Sequence, residues 1–526
     1  MRTKNNEGLV LVSSLVVTIL LLGIGGTLVL RSGMGKHLST PPPSSRYSST
    51  AHHPNAKVTL SVLGDTFSGY STLRANTFQS ALIERGVGVK YDDEFNQLTR
   101  ARAINNGKAD IIVTSLDQFL RHKPQGKIVG LIDRTVGADA VVLNTRRFPQ
   151  LKSLGDLEKL VSQRRHQGQT TKIVFAGDTP SEFLAMVLDT SFDNFNLADL
   201  EIATVADASL ATQKLKDDAN VAVAILWEPF VHQAKQQGNT VVLSSADVPK
   251  TIVDVIVASQ PIMNSQPKAV QAFIETYYQR IDATLQDPNQ LVRQIALDGK
   301  LTQSEAKAVN RGIQFFTSVE AQEWMKSGQL DQRIKSISSI LALAGKGTPV
   351  TDNPQSLYSA IYLSPVAKRT KTLMQAIAID NPELAKRLRR RSTAPVPQPK
   401  TVAINQAPAV GHLKVRGEVK FQTGSAELTG DSAATLQQLA QQIREFSPNT
   451  IGIQIQGHTS RTGTAALNQK LSAQRAAAVE RYLQTQQVNH YLTSEGLGYS
   501  KPLPGSDPAS PLNQRTVIRL VRIGGA

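Results

Sequence analysis

Hydrophobic positions fall along this chain in two rhythms. Short apolar or alternating runs at Val58–Leu63, Ile111–Thr114, Lys127–Ile132, Ala140–Asn144, Lys172–Phe175, Val221–Leu226 and Val253–Ala258 read as strands, and amphipathic stretches of helical spacing separate them. Strands alternating with helices predict an α/β domain with largely parallel sheets. Further on, Thr450 to Gln456 alternates, Gly457 and Gly463 bracket a turn, and a run rich in Ala, Leu, Gln and Arg follows, so a strand should enter a helix there. In that helix Leu467, Leu471, Val479 and Leu483 should face a core, with Asn468, Ser472 and Arg475 in a polar strip beside them. The first segment differs. Gly8 to Leu30 carries no charge and has the ~20 apolar residues that a membrane-spanning helix needs. With no Ala-x-Ala cleavage site it reads as an uncleaved anchor, removal as a signal peptide being the alternative.

Two Pro-rich spacers divide the rest: His37 to Ala56, with Pro41-Pro42-Pro43, and Ser392 to Ala409, with Pro395, Pro397, Pro399 and Pro408. The expected organisation of the 526 residues is an anchor (1–36), a spacer (37–56), a large α/β domain (57–363), a helical then basic linker (364–412) and a small α+β domain (413–526). The chain has no cysteine, which excludes disulfides, thiolate metal sites, a Cys nucleophile and a lipid-modified N-terminal Cys. A net charge of +16 suits an anionic partner such as lipid headgroups or wall polymer. Nucleic acid is the weaker option: no nucleic-acid motif occurs, and the densest basic run, Lys386 to Arg391, lies at the mouth of a linker, where a solvated helix end is the ordinary reading.

Gly457-His458-Thr459-Ser460-Arg461-Thr462-Gly463, Leu467-Asn468 and Leu471 to Ala476 together resemble the peptidoglycan-binding OmpA-like domain. Phe421 to Leu428 resembles its opening strand and turn, Gly496 to Pro502 its glycine loop, and Asn513-Gln514-Arg515 precedes a last strand. The resemblance implies a wall site at Thr459, Ser460, Asn468, Arg475 and Arg515. Family members usually carry Asp where this chain has Ser460, and that Asp joins the helix Arg in holding the diamino acid of the peptide stem. A charge-assisted hydrogen bond contributes roughly 1.5–3 kcal/mol against roughly 0.5–1.5 for a neutral one, so wall affinity should be weak.

Asp65 to Tyr70, Asn106 to Ile111, Gly137-Ala138-Asp139-Ala140, Gly177 to Leu184 and Ala224 to Pro229 together resemble the periplasmic substrate-binding proteins of ABC importers, in the branch taking nitrate, sulfonates or thiamine precursors. The resemblance implies a two-lobed, type II-like periplasmic-binding-protein fold over about Lys57 to Leu363. Its crossings are expected near Ala138–Asn144 and Val253–Ser259. A ligand would sit between the lobes, where strands end and helices begin. The expected contacts are Thr66, Phe67, Ser68, Tyr70, Thr114, Ser115, Asp133, Thr179, Ser181, Trp227 and Glu228. Most are neutral hydrogen-bonding groups, suited to an anion or a polar heterocycle, whereas Asp133 and Glu228 favour a cationic or donor-rich face. Each has a plainer reading. Thr179-Pro180-Ser181-Glu182 is also a capping box, Trp227 also core packing, Glu228 also a turn residue, and Asp133 also a partner for Arg134 or Arg100.

Catalysis finds little support, since the histidines are scattered without metal-ligand spacing, and Gly345-Lys346-Gly347-Thr348 lacks the order of a phosphate loop. No enzyme activity, metal or cofactor is expected. A motor stator is excluded by the absence of an acidic residue in Gly8–Leu30. The expected function is a solute receptor, single-pass in the inner membrane with its bulk in the periplasm, linked to peptidoglycan and serving an ABC permease or a sensing partner. The alternative is an envelope tether whose binding-protein domain mediates protein contacts.

Overall fold

A computed structural model describes residues 53–284, 287–380, 382–383, 404–422 and 424–524. The expected membrane span, most of the first spacer and residues 392–403 of the second lie outside them. No described helix is long and apolar enough to cross a membrane.

The chain builds β1 (Val58–Gly64), β2 (Val87–Asp93), β3 (Ile111–Ser115) and β4 (Gly126–Thr135), then leaves for a second sheet of β5 (Asp139–Leu143), β6 (Lys172–Ala176), β7 (Glu201–Val205), β8 (Val221–Trp227) and β9 (Thr240–Ser244). It returns through β10 (Val253–Ser259) and β11 (Ile313–Phe315). The strand orders are β11-β4-β10-β3-β1-β2 and β7-β6-β8-β5-β9, so two lobes are joined by two crossings. Every position of β3, β5 and β10 is buried, as expected of central strands covered on both faces, which is why they read as unbroken apolar runs. The edge strand β7 is half exposed and carries no such signal.

Two expectations need correction. The sheets are mixed: β1 runs parallel to β2 and β3, and β6 to β7 and β8, but β10 is antiparallel to β3 and β4, and β5 to β8 and β9. The expected crossing segments are not connectors either. β5 is the second lobe's own strand and β10 the first lobe's; the crossings are 136–138 and 245–252. Ser245 Oγ pins them together by accepting from Gly137 N (2.8 Å) and Asp139 N (3.2 Å).

A third sheet, in the order β12-β15-β13-β14, consists of β12 (Ala409–Leu413), β13 (Ile451–Gly457), β14 (Leu492–Gly496) and β15 (Thr516–Arg522). The helix Ala465–Thr485 lies so close on it that a Cβ at Gly457 would strike the Ser472 carbonyl and one at Gly496 the Ala473 amide. These glycines are needed for close approach, whereas Gly463 takes the left-handed turn at φ +86°. Close approach also explains a second miss on this helix. Val479 and Leu483 are buried as expected, but Leu467 is 59% exposed, while the small and polar residues Asn468, Ser472, Arg475 and Ala476 are buried, with Ser472 and Ala476 against Gly457. Phe421 and Leu428 form a single antiparallel bridge rather than a strand.

This C-terminal module is docked on both lobes. Leu413 bridges Phe192, whose ring meets Phe446 edge-on at 5.9 Å, a geometry adding about 0.5–1.5 kcal/mol beyond area burial. Arg522 pairs with Asp247 at 2.8 Å, and Ser447 N donates to the Asp247 carbonyl, so the module holds the second crossing itself. Arg333, on the first-lobe helix Gln329–Leu343, pairs with Glu445 at 2.7 Å. Because the Asp247 side chain is fully buried, Arg522→Ala should destabilise the protein by about 3–5 kcal/mol in urea unfolding. Arg165→Ala, breaking an exposed pair with Asp199, should cost under about 1 kcal/mol.

Candidate functional sites

Two fully buried arginines fix the loop after β1. Arg74 bonds the Asp65 and Phe67 carbonyls and pairs with Asp298, while Arg100 bonds the Val113 carbonyl and pairs with Asp65 at 2.8 Å. The loop thereby delivers Tyr70 to the interior, where its hydroxyl donates to Asp254 Oδ1 at 2.7 Å. Gly69 is required beside it, since a Cβ there would meet Asp133 Oδ2.

The interior that these residues reach is strongly acidic. Asp117, Asp133 and Asp254 from the first lobe and Asp139 from the second are all buried, and their charges oppose one another. Burial pushes the Asp117 carboxyl up to about 6. Burial, followed by the neighbouring carboxyls, pushes Asp139 and Asp254 to about 7 and Asp133 well above the usual carboxylate range. Asp133 and Asp254 lie close enough to share a proton, and Ser115 hydrogen-bonds Asp117, whereas Ser181 Oγ is buried without a hydrogen-bond partner.

The other expected contacts are already engaged within the protein. Thr114 Oγ1 bonds Gln97, Thr179 Oγ1 caps the helix Pro180–Ser191 by accepting from Ser181 N, and Glu228 accepts from His232 N. Trp227 packs against the second lobe's core. Phe67 sits edge-on to Tyr70 at 5.3 Å and against the cluster around Leu291 and Ile295, Ser68 is half-buried, and Thr66 is exposed. Asp133 has neither suggested partner: Arg100 is held by Asp65, and Arg134 lies over the Phe316 and Trp324 rings.

At the rim the lobes are clasped by charge. Arg121, on the first-lobe helix Leu116–His122, reaches Asp178 and Glu182 of the second lobe, each at 2.9 Å; His122 meets Asp178 at 3.3 Å and Lys346 meets Glu182 at 3.4 Å. The His122 hydrogen bond and Arg121 together hold the Asp178 carboxyl below the usual range. Burial alone would raise Glu182, but Arg121 and the Asp178 N–H outweigh it. Sequence reasoning missed Arg121, His122 and Lys346, which only the fold brings to this loop. It also missed Asp254, although a lone acid inside the apolar run Val253–Ala258 was a visible signal.

In the C-terminal module the expected wall residues do gather. Ser460 Oγ lies 3.1 Å from Thr462 Oγ1 and accepts from Gln514 Nε2 at 3.2 Å. Gln514 Oε1 in turn accepts from Arg475 Nη1 at 3.2 Å, so a neutral amide links Ser460 to Arg475. Arg475 also bonds the Ser425 carbonyl and lies 5.0 Å over the Phe421 ring. Asn468 spans the turn through the Thr462 and Thr464 carbonyls, Thr459 Oγ1 is buried without a partner, and Arg515 holds the Asn513 and Lys501 carbonyls at the margin. Burial, then Arg515 and Lys501, push His458 down to about 4, leaving a neutral imidazole under the site.

Residues 83–291 match the NMT1/THI5-like family and residues 420–514 the OmpA family. Outer membrane protein A of Shimwellia blattae is 32% identical over 96 residues, 18% of this chain and 40% of that protein. Outer membrane porin F of Pseudomonas aeruginosa is 36% identical over 115 residues, 21% of this chain and 31% of that protein. The chain thus spans less than half the length of these relatives. Among solved structures, the alkanesulfonate-binding protein SsuA of Xanthomonas axonopodis pv. citri, bound to MOPS, aligns at 13% identity with a TM-score of 0.41, covering 59% of this chain and 98% of its own. The periplasmic nitrate-binding protein NrtA of Synechocystis PCC 6803 aligns at 12% identity with a TM-score of 0.43, covering 61% and 88%. This chain therefore carries an NMT1/THI5-like domain followed by a domain of the OmpA family.

Proposed function

We propose that the protein is an extracytoplasmic solute receptor, anchored in the inner membrane through Gly8–Leu30 and tied to peptidoglycan by its OmpA-family domain. Its two-lobed domain captures a small polar solute and presents it to an ABC permease or a sensing partner. The observation that carries this reading is the clasp of Arg121, His122 and Lys346 on Asp178 and Glu182, which joins the two lobes at their rim. A closing device between lobes is what capture requires.

One observation favours the tether reading instead: the wall module grips both lobes, through Asp247 and Arg333, as a strut would. Thermal denaturation of the full chain with a panel of small polar solutes separates the two. A solute at a hundred times its Kd stabilises the folded state by about 2.7 kcal/mol, which appears as a clear rise in Tm; a flat response to every solute favours the tether.

The clasp makes its own prediction. Asp178 and Glu182 have folded-state pKa values below their unfolded ones, so their stabilisation is present above the ordinary carboxylate range and lost as pH falls through the lowered values. Small-angle scattering should find the lobes closed at pH 7 and opening only below about pH 4. Arg121→Glu should open them already at neutral pH, and an unchanged radius of gyration would count against the clasp.

For the wall module, Ser460→Asp should raise the fraction of full-length protein retained on peptidoglycan sacculi. Replacing a neutral hydrogen bond by a charge-assisted one corresponds to about tenfold in affinity. Arg475→Ala should abolish retention. If wild type is retained tightly and Ser460→Asp adds nothing, the Gln514 bridge already does what a carboxylate would do.

A further inference from the structure

The third sheet has a second face, turned away from the helix Ala465–Thr485. Antiparallel register sets His412 beside Arg519 and Arg519 beside Gln454, while the parallel pairing of β13 with β14 sets Thr493 beside Gln454 and Glu495 beside Gln456. Side chains alternate along a strand, so Gln454, Gln456 and His458 share this face with Arg515 and Arg519, and His458 N donates to the Arg515 carbonyl to carry the ladder one step further. Ser494, between Thr493 and Glu495, points the other way and bonds Glu480 on the helix. Ile404, Ala407, Val521 and Ile523 pack together at one end of the face. The other end is polar.

That polar end is cationic. Half-buried Arg515 and Arg519 are accompanied by exposed Lys501 and by exposed Lys159 of the second-lobe helix Leu154–His166, whose first residue lies against Gly411 of β12. Among the described residues none of these four forms an ion pair: Arg519 donates to Gln454 Oε1 at 3.0 Å, and Arg515 to the Asn513 and Lys501 carbonyls. Glu495 is the acid of this face and accepts from Gln456 Nε2 at 2.6 Å, whereas Glu158, next to Lys159 in sequence, lines another cavity with Asp193 and Asp199. Burial, followed by the charges of Arg519, Arg515, Lys159 and Lys501, holds the His412 imidazole below its usual range, which places all four cations around one point. Thr493 Oγ1 is buried there without a hydrogen-bond partner. Like charges gathered in this way repel one another, and a multivalent anion reverses the sign of that interaction.

We propose that this face, where the OmpA-family domain meets the second lobe, binds a phosphoryl polyanion through Arg515, Arg519, Lys159 and Lys501, with His412 as a neutral donor between them. Guanidinium forks match phosphoryl oxygens two at a time, and two arginines with two lysines exceed what a single carboxylate can answer. The cations stand at the surface, so a flexible anion reaches them from solvent. The site lies across the sheet from the Ser460–Gln514–Arg475 chain and does not rest on the receptor reading.

Titration calorimetry on the full-length protein tests it, with inorganic phosphate, tripolyphosphate, glycerol phosphate and citrate as probes. Tripolyphosphate should bind more tightly than phosphate, and Arg519→Gln should weaken it by about tenfold. Lys159→Gln, an exposed change on the other element, should weaken it too, and keeps the test decisive should Arg519→Gln fold poorly by circular dichroism. Lys470→Gln, which removes an exposed cation from the helix on the opposite face, should leave binding unchanged. Glycerol phosphate binding above inorganic phosphate would identify a lipid headgroup as the carrier, and the reverse order a free phosphoryl chain; both support the site. Citrate binding as tightly as tripolyphosphate would overturn the phosphoryl class. Silence from every phosphate probe, binding unaltered in both site variants, or an equal loss in Lys470→Gln would overturn the site itself, and each leaves solute capture and retention on sacculi untouched.

Discussion

Two short connectors, 136–138 and 245–252, are the constraint on which the rest of this architecture depends. They are the chain's passages between lobes, and Ser245 Oγ locks one to the other through the Gly137 and Asp139 amides. The lock fixes where β4 ends and β5 begins, and so sets Asp133, near the end of β4, and Asp139, at the start of β5, on either side of the first crossing. The same connector carries Asp247, whose carboxylate also accepts from Ser244 N and is held by Arg522 of the OmpA-family domain. Hinge, acidic floor and wall module are therefore mechanically continuous. Any bending at 245–252 has to be accommodated at a buried ion pair, and any rotation of the first lobe at Arg333–Glu445.

The sequence revealed elements better than relationships. Each predicted strand of the large domain is present, either because a fully buried central strand is an unbroken apolar run, as in β3, β5 and β10, or because a half-buried one alternates, as in β1. What failed was direction and pairing. The apolar content of β5 and β10 says nothing about whether they run with or against their neighbours, so the sheets looked parallel and the hinges were placed one strand away. β12 was hidden because Ala409–Leu413 follows a proline-rich stretch and becomes a strand only by pairing with β15 on one side and meeting Phe192 on the other. Leu467 was misassigned because the helix periodicity is satisfied by two faces; the glycines at 457 and 496 choose the small, polar one.

The candidate sites were legible to a similar depth. Of the residues expected just after strands, Tyr70, Ser115, Asp133 and Ser181 are buried, although Ser115 and Asp133 lie within β3 and β4 themselves. Position along the chain could not tell them from Thr114, Thr179 and Glu228, whose side chains close local hydrogen bonds. The difference lies in partners remote in sequence: Gln97 is available to Thr114, and Asp133 has only another carboxyl, Asp254. Whole-chain charge says nothing of where charges are buried: the chain carries +16, yet Asp117, Asp133, Asp139 and Asp254 are all buried in the large domain.

The wall site illustrates how a lost charge is absorbed. With Ser460 in place of a carboxylate, Arg475 would be left buried beside an acceptor of little strength, and burial already lowers its pKa. Gln514 resolves this by donating to Ser460 and accepting from Arg475, so both groups are satisfied without a ligand. The Phe421 ring supplies a further face to the guanidinium. A ligand carboxylate reaching Arg475 has to displace or share the Gln514 amide, and a ligand ammonium finds a hydroxyl where a negative charge would serve it better. The Ser460–Gln514–Arg475 chain is thus a unit, and substitution of one member alters the other two.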